Sequence, residues 1–160
     1  ADGVADVERN RAELRTIFPS LAFRHFAYPF GSDAFGIKRY LGRTYLTARG
    51  TQRGVNRGRV DAANLKGISI PSGERSLAAI TQALDELRRS PGWLIFITHG
   101  VDAHPAHGGC TPEALRFVVA QCAARGLPIL TVDEAHRRLV APGDPAAPHA
   151  HTPAGALTAR

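Results

Sequence analysis

Val4, Val7, Leu14 and Ile17 recur at helical spacing, so the pattern predicts a helix over residues 4–17, stopped by Pro19. Residues 23–28 then alternate as a strand closed by Pro29 and Gly31, residues 33–41 suit a short helix, and residues 44–48 form a second strand rich in β-formers. The stretch RGTQRGVNRGR, residues 49–59, follows neither period and is expected to be loop. Ile68 and Ile70 make a brief strand at best. Over residues 74–89, Leu77, Ile80, Leu84 and Leu87 form one helical stripe that Ser90-Pro91-Gly92 terminates. WLIFIT, residues 93–98, is a continuous apolar run of the kind a parallel strand needs when both its faces are covered. Thr111 and Pro112 read as N-cap and first position of a helix whose C-terminal signal is Gly126. Residues 127–132 are expected to be the last strand, with Asp133 capping a short helix to Leu139.

Strands alternating with helices at this spacing define an α/β domain with a mainly parallel sheet and right-handed crossovers. In such folds the loops after the strands' C-terminal ends gather the ligand chemistry. Tyr28-Pro29-Phe30-Gly31 and Thr98-His99-Gly100 are both expected at that end, as tight bends closing neighbouring strands over one cleft. Residues 1–140 are assigned to this domain, and the Pro/Ala/His-rich residues 141–160 to a flexible tail.

The 160 residues carry a net charge of +6, almost all of it arginine, which leans towards anionic partners. No apolar run approaches the roughly 20 residues of a membrane span. Methionine is absent, and the first residues do not form an export signal, so the sequence is expected to be a processed or partial one. Cys110 and Cys122, placed on one predicted helix, would lie about 18 Å apart at about 1.5 Å per residue, too far to bridge.

His99 is the clearest candidate for chemistry. It is either a strand-end histidine held by neighbouring backbone or a general acid or base, the job that imidazole's ordinary pKa near neutrality suits. His104, His107 and Cys110 offer zinc-type donors, but a proline between the histidines does not set both rings on one face. The arginine loop, with Arg49, Arg53, Arg57 and Arg59, has no aromatic residue to stack on bases, so nucleic acid is not the expected partner. A basic loop that touches a polar substrate, with Asn56 as a substrate contact, fits it better. No serine nucleophile elbow, P-loop or dinucleotide fingerprint is present.

Four segments together resemble the polysaccharide deacetylases, the NodB-homology or carbohydrate esterase family 4 group, over residues 4–136. They are ERNRAEL at residues 8–14, FAYPFG at 26–31, FITH at 96–99, and GCTPE at 109–113 followed by ILTVDEA at 129–135. The resemblance implies the later part of a distorted (β/α)7 barrel. It implies an enzyme that removes N-acetyl groups from an amino-sugar glycan or related amide, with a divalent metal, usually zinc, activating water. By the same resemblance the backbone N–H of Phe30 would meet the oxyanion and its ring would wall the sugar groove. Tyr28, Pro29 and Gly31 would shape that substrate-binding turn, and His99 would protonate the departing amine.

The family's metal ligands and catalytic base come from an early Asp-Asp motif and a two-histidine motif. Residues 1–25 hold only His25 and neither motif, so the expected metal ligands in this chain are none, and the chain is read as beginning after them. Ala27 stands where the family often has arginine, Gly100 follows His99 where aspartate is usual, and Trp93 lies inside a strand rather than in an Asp-x-Trp motif. Two other readings stand beside this one: a basic polyanion-binding module built on residues 49–59, and an inactive fragment.

Overall fold

The computed structural model describes residues 3–31, 35–70, 74–140 and 156–159. The elements run α1 (Gly3–Ile17), β1 (His25–Ala27), a single 3-10 turn (Pro29–Gly31), α2 (Phe35–Thr44), β2 (Thr47–Arg53), β3 (Gly58–Asp61), β4 (Leu65–Ser69), α3 (Glu74–Arg89), β5 (Phe96–Ile97), α4 (Pro112–Ala124), α5 (Val132–Val140) and β6 (Ala156–Ala159). Four strands form one all-parallel sheet in the order β1-β2-β4-β5, curled into a half-barrel. The mixed α/β class and the parallel sheet are as the alternation requires. Strands β3 and β6 make a separate antiparallel pair.

Both sheet faces are covered, which explains why WLIFIT, the run that holds the two-residue β5, reads as continuously apolar rather than alternating. Ile68 and Ile70 pack with Ile80, Leu84 and Leu87 of α3 and with Val118 and Cys122 of α4, joined by Leu94 and Phe96. The alternate residues Trp93 and Ile95 pack with Leu65, with Val60 of β3 and with Ala135 of α5. A third cluster sets Val7 of α1 and Leu41 of α2 against Tyr28 and Ala48.

Several boundaries differ from the expectation. Residues 49–53 and 58–59 are strand, not loop: β2 pairs with β1 as far as Arg49 and with β4 from Arg49 to Arg53, Gly58 and Arg59 open β3, and a paired backbone adopts the ladder whatever its side chains prefer. Thr44 still belongs to α2, its hydroxyl donating to the Tyr40 carbonyl at 3.0 Å. The brief strand at Ile68 is a central strand beginning at Leu65. Residues 127–131 form no strand, because the chain leaves the sheet there: Leu127 N–H closes on the Cys122 carbonyl at the end of α4. The cap of α5 is Thr131 rather than Asp133. Its hydroxyl accepts from Glu134 N at 3.2 Å, and Glu134 Oε2 accepts in turn from Thr131 N at 2.8 Å, a reciprocal capping box.

Thr111 and Gly126 end α4 as expected, Thr111 accepting from Ala114 N and Gly126 taking φ 65°. Cys110 precedes that helix, and both cysteines are free and buried. In the C-terminal stretch, residues 156–159 are a strand on β3 rather than tail, while residues 141–155 and 160, and Asp33 of the expected second helix, lie outside the described residues.

Candidate active site

FAYPFG brings β1 to a sharp stop. Tyr28 N–H donates to the Arg49 carbonyl at 3.0 Å, and Gly31 N–H closes the turn on the Tyr28 carbonyl at 3.1 Å. Between them Phe30 adopts φ 55°, ψ 11°, the left-handed region that costs an L-residue roughly 1–2 kcal/mol, and it is the only non-glycine residue described there. Its ring is fully exposed. A bulky aromatic held in a strained conformation with its ring in water is an outlier of the kind found at ligand clamps.

Gly31 follows at φ 69°, and a methyl group added there would stand 2.2 Å from Thr51 Oγ1 and 2.9 Å from Thr51 Cβ. Rotating Thr51 cannot relieve the contact with its Cβ. Gly31→Ala is expected to cost about 2–3 kcal/mol, part backbone strain and part overpacking. Chemical denaturation of the single variant and of Gly31→Ala with Thr51→Gly, read against Thr51→Gly alone, separates the two: the double variant should recover the steric part and keep the strain.

Pro29 is exposed beside Phe30, but Tyr28 is not a groove residue. It is 4% exposed, packs edge-on against Phe26, and donates its hydroxyl to the Ala63 carbonyl at 2.8 Å. The expectation of a substrate contact at Tyr28 is corrected on this ground: its side chain belongs to the core under the turn. Asn56 is corrected in the same way. It is 4% exposed, its Nδ2 donates to the carbonyls of Lys66 and Trp93 at 2.9 and 3.0 Å, and its Oδ1 accepts from Lys66 N at 2.9 Å. With its amide committed to the backbone, Asn56 clamps β4 to Trp93 in the segment that leads into β5.

His99 follows β5 and is exposed. Its backbone N–H donates to the Gly108 carbonyl at 3.0 Å, and its ring lies against Gly108, where an added methyl group would come within 2.2 Å of Cδ2. The loop that carries Gly108 is tied at its base by Cys110 N–H to the Gly100 carbonyl at 2.9 Å and by Asp102 N–H to the Cys110 carbonyl at 3.1 Å. His99 is therefore held by neighbouring backbone through its own N–H, with its side chain open to solvent.

Phe30 and His99 sit at the same, C-terminal end of the sheet, but their strands are not neighbours. β1 and β5 are its two edges with β2 and β4 between, a span of about 14 Å on a flat sheet at roughly 4.8 Å per step. Joint action requires the curl of the half-barrel to turn the two bends towards each other across its mouth. Among the described residues no group of three or more His, Cys, Asp or Glu could hold a metal ion. The histidines of the loop after His99 make no such group either.

The sequence reading missed a polar cluster at the opposite, N-terminal end. His25, the first residue of β1, contacts Thr47 Oγ1 through Nδ1 at 2.9 Å and Asp133 Oδ1 through Nε2 at 3.1 Å. His136 meets the His25 ring edge-on at 5.7 Å, and Arg137 pairs with Asp133 at 3.1 Å. The signal available was the three-residue spacing of Asp133 and His136, one face of α5. The hydrogen bond from His25 leads in holding the Asp133 carboxyl below its ordinary range.

Burial, then the charge of His25, lowers the pKa of the buried His136, against an opposing pull from Asp133. The unfolded chain then takes up this proton before the folded one, so stability is full above the unfolded value near 6.5 and falls as pH drops below it. The depressed carboxylates Asp85, Asp133 and Glu134 lose their contribution only below the ordinary carboxylate range. The melting temperature is therefore expected to be lower at about pH 5.5 than at about pH 7.5, and His136→Phe to shrink that difference. Thermal melts of both proteins at the two pH values check this.

Among the described residues no helix is long and apolar enough to cross a membrane. No family model, no curated protein and no solved structure matches this chain.

Proposed function

We propose that this chain carries the later part of the site of a hydrolase that removes N-acetyl groups from an amino-sugar glycan or a related amide, in the manner of the polysaccharide deacetylases it resembles. The observation that carries the reading is Phe30: a left-handed aromatic directly after a parallel strand, with its ring wholly in solvent. Such a ring is a platform for the apolar face of a sugar. Support comes also from His99, exposed at the same end of the sheet with its ring braced by Gly108.

Each residue then has a role. As water adds to the acetamide carbonyl carbon, negative charge gathers on the carbonyl oxygen, and the Phe30 backbone N–H donates a hydrogen bond to it. The adding water gives up one proton to solvent; the C–N bond then breaks with its electron pair going to nitrogen, the His99 imidazolium gives that nitrogen its proton and the carbonyl re-forms, so the sugar leaves as an amine beside acetic acid, which ionises to acetate. A divalent metal, if bound, would supply an activated water for this chemistry, and no group of three or more donors among the described residues would hold it.

The arginine stretch supports a polyanion module less well. Residues 49–53 lie within the sheet, Arg49 is half-buried with its pKa lowered by that burial, and Arg57 turns inward, so the four cations do not line one open face. Acetate release from N-acetylated chito-oligosaccharides by the full-length protein, with zinc supplied, tests the proposal. Failure to release acetate from any acetylated glycan while metal is bound would overturn it.

A further inference from the structure

We propose a second binding site, for a small aliphatic monocarboxylate, in the cavity between helix α3 and the segment that crosses from β2 to β3. The cavity holds about 270 Å³, near the lower end of ligand pockets, and Arg53, Arg57, Gln82 and Glu86 supply its polar groups. Its other walls are apolar, among them Val55, Ile68 and Ala83.

Arg57 points to the ligand. Its Nε and Nη2 are buried and have no hydrogen-bond partner among the described residues. These two nitrogens form one edge of the guanidinium, the two-pronged edge that matches both oxygens of a carboxylate. A buried cation is costly unless it is paired. Glu86, the acid on the cavity wall, accepts instead from Gln82 Nε2 at 3.2 Å and makes no ion pair with Arg57.

The arginine is also fixed at its root. Asn56 exchanges two backbone hydrogen bonds with Trp93 at 2.9 and 2.8 Å, and the Arg57 stem lies on Gly92, where an added methyl group would stand 2.6 Å from Cγ. Arg57 lines the cavity while its Nε and Nη2 edge is shielded from solvent beside it, so carboxylate binding requires the guanidinium to turn towards the cavity. Two arginines against one glutamate leave a single net positive charge, which favours a monoanion over a phosphate dianion. The apolar walls favour a short aliphatic body behind the carboxylate.

This site lies against α3, apart from the bends at Phe30 and His99, and its test needs no catalytic activity. Butyrate, acetate and inorganic phosphate are titrated calorimetrically into the protein and its variants. Expected is saturable binding with butyrate tighter than acetate and phosphate weakest. Arg57→Lys, which keeps the charge and loses the fork, should weaken butyrate about tenfold or more. Glu86→Gln should tighten it several-fold by removing a like charge.

A non-saturating response to butyrate, or equal affinity in wild type and Arg57→Lys, overturns the site. So does Glu86→Gln if it lowers the melting temperature without tightening binding, since Arg57 would then be paired internally with Glu86. Should Arg57→Lys fail to fold, the exposed Arg53→Gln decides beside Glu86→Gln: weaker butyrate binding supports the site and unchanged binding overturns it.

Discussion

Asn56→Leu is expected to destabilise the protein by about 3–5 kcal/mol, a large part of the total for a domain of this size. The side chain is fully used: two bonds from Nδ2 to the carbonyls of Lys66 and Trp93, and one into Oδ1 from Lys66 N. A leucine fills the space but cannot accept from Lys66 N–H, and a buried donor left without its partner costs roughly 1–3 kcal/mol by itself. Two neighbouring carbonyls lose a donor as well. The damage falls where β4 begins and at Trp93 in the segment that leads into β5, so the half-barrel should open at that point first. Urea denaturation measures the loss, and hydrogen exchange locates it at Lys66 and Trp93. A loss below about 1 kcal/mol, the mean value of one ordinary hydrogen bond, would show that the clamp is redundant.

The second large effect is catalytic. Under the proposed function, His99→Gln is expected to lower the rate of acetate release about 10²–10⁴-fold, the usual contribution of a positioned general acid, or about 3–5 kcal/mol of barrier. Glutamine keeps a polar side chain of similar reach but has no proton to deliver at neutral pH. Because His99 is exposed and its fixed contact is a backbone one, the variant should fold like the wild type. The rate loss should fall on kcat rather than KM, and it should shrink for substrates whose leaving amine is less basic and needs the proton less. A loss spread over KM alone would reassign His99 to binding.

Much of the frame was legible in the sequence. The stripe of α3, the Thr111-Pro112 start and Gly126 stop of α4, and the extent of α1 come from local rules: capping, periodicity and helix-breaking residues act within a few positions. The positive φ of Gly31 and the bend at FAYPFG belong with them, since proline and glycine fix the backbone where they stand. The α/β class followed from the same alternation.

What failed failed for one reason. The arginine-rich residues 49–53 have no strand signal of their own, yet they are strand because β4 pairs along them and β1 joins at Arg49. Residues 127–131 have the signal and no sheet neighbour, so they remain irregular. Asn56 is expected as a substrate contact in a loop and Tyr28 as part of the substrate-binding turn, but tertiary packing turns both side chains inward as hydrogen-bonding core residues.

The sequence by itself determined which segments are helices, where the chain must turn, and which two bends carry exposed chemistry, because those features depend on residues close together in the chain. Only the tertiary structure decided the order β1-β2-β4-β5, which sets Phe30 and His99 at opposite edges of one sheet end. It also decided the pairing of His25 with Asp133 across 108 positions and the unpaired fork of Arg57 behind α3. Strand neighbours and buried polar partners are chosen by which surfaces meet when the sheet curls, and a one-dimensional pattern does not encode that meeting.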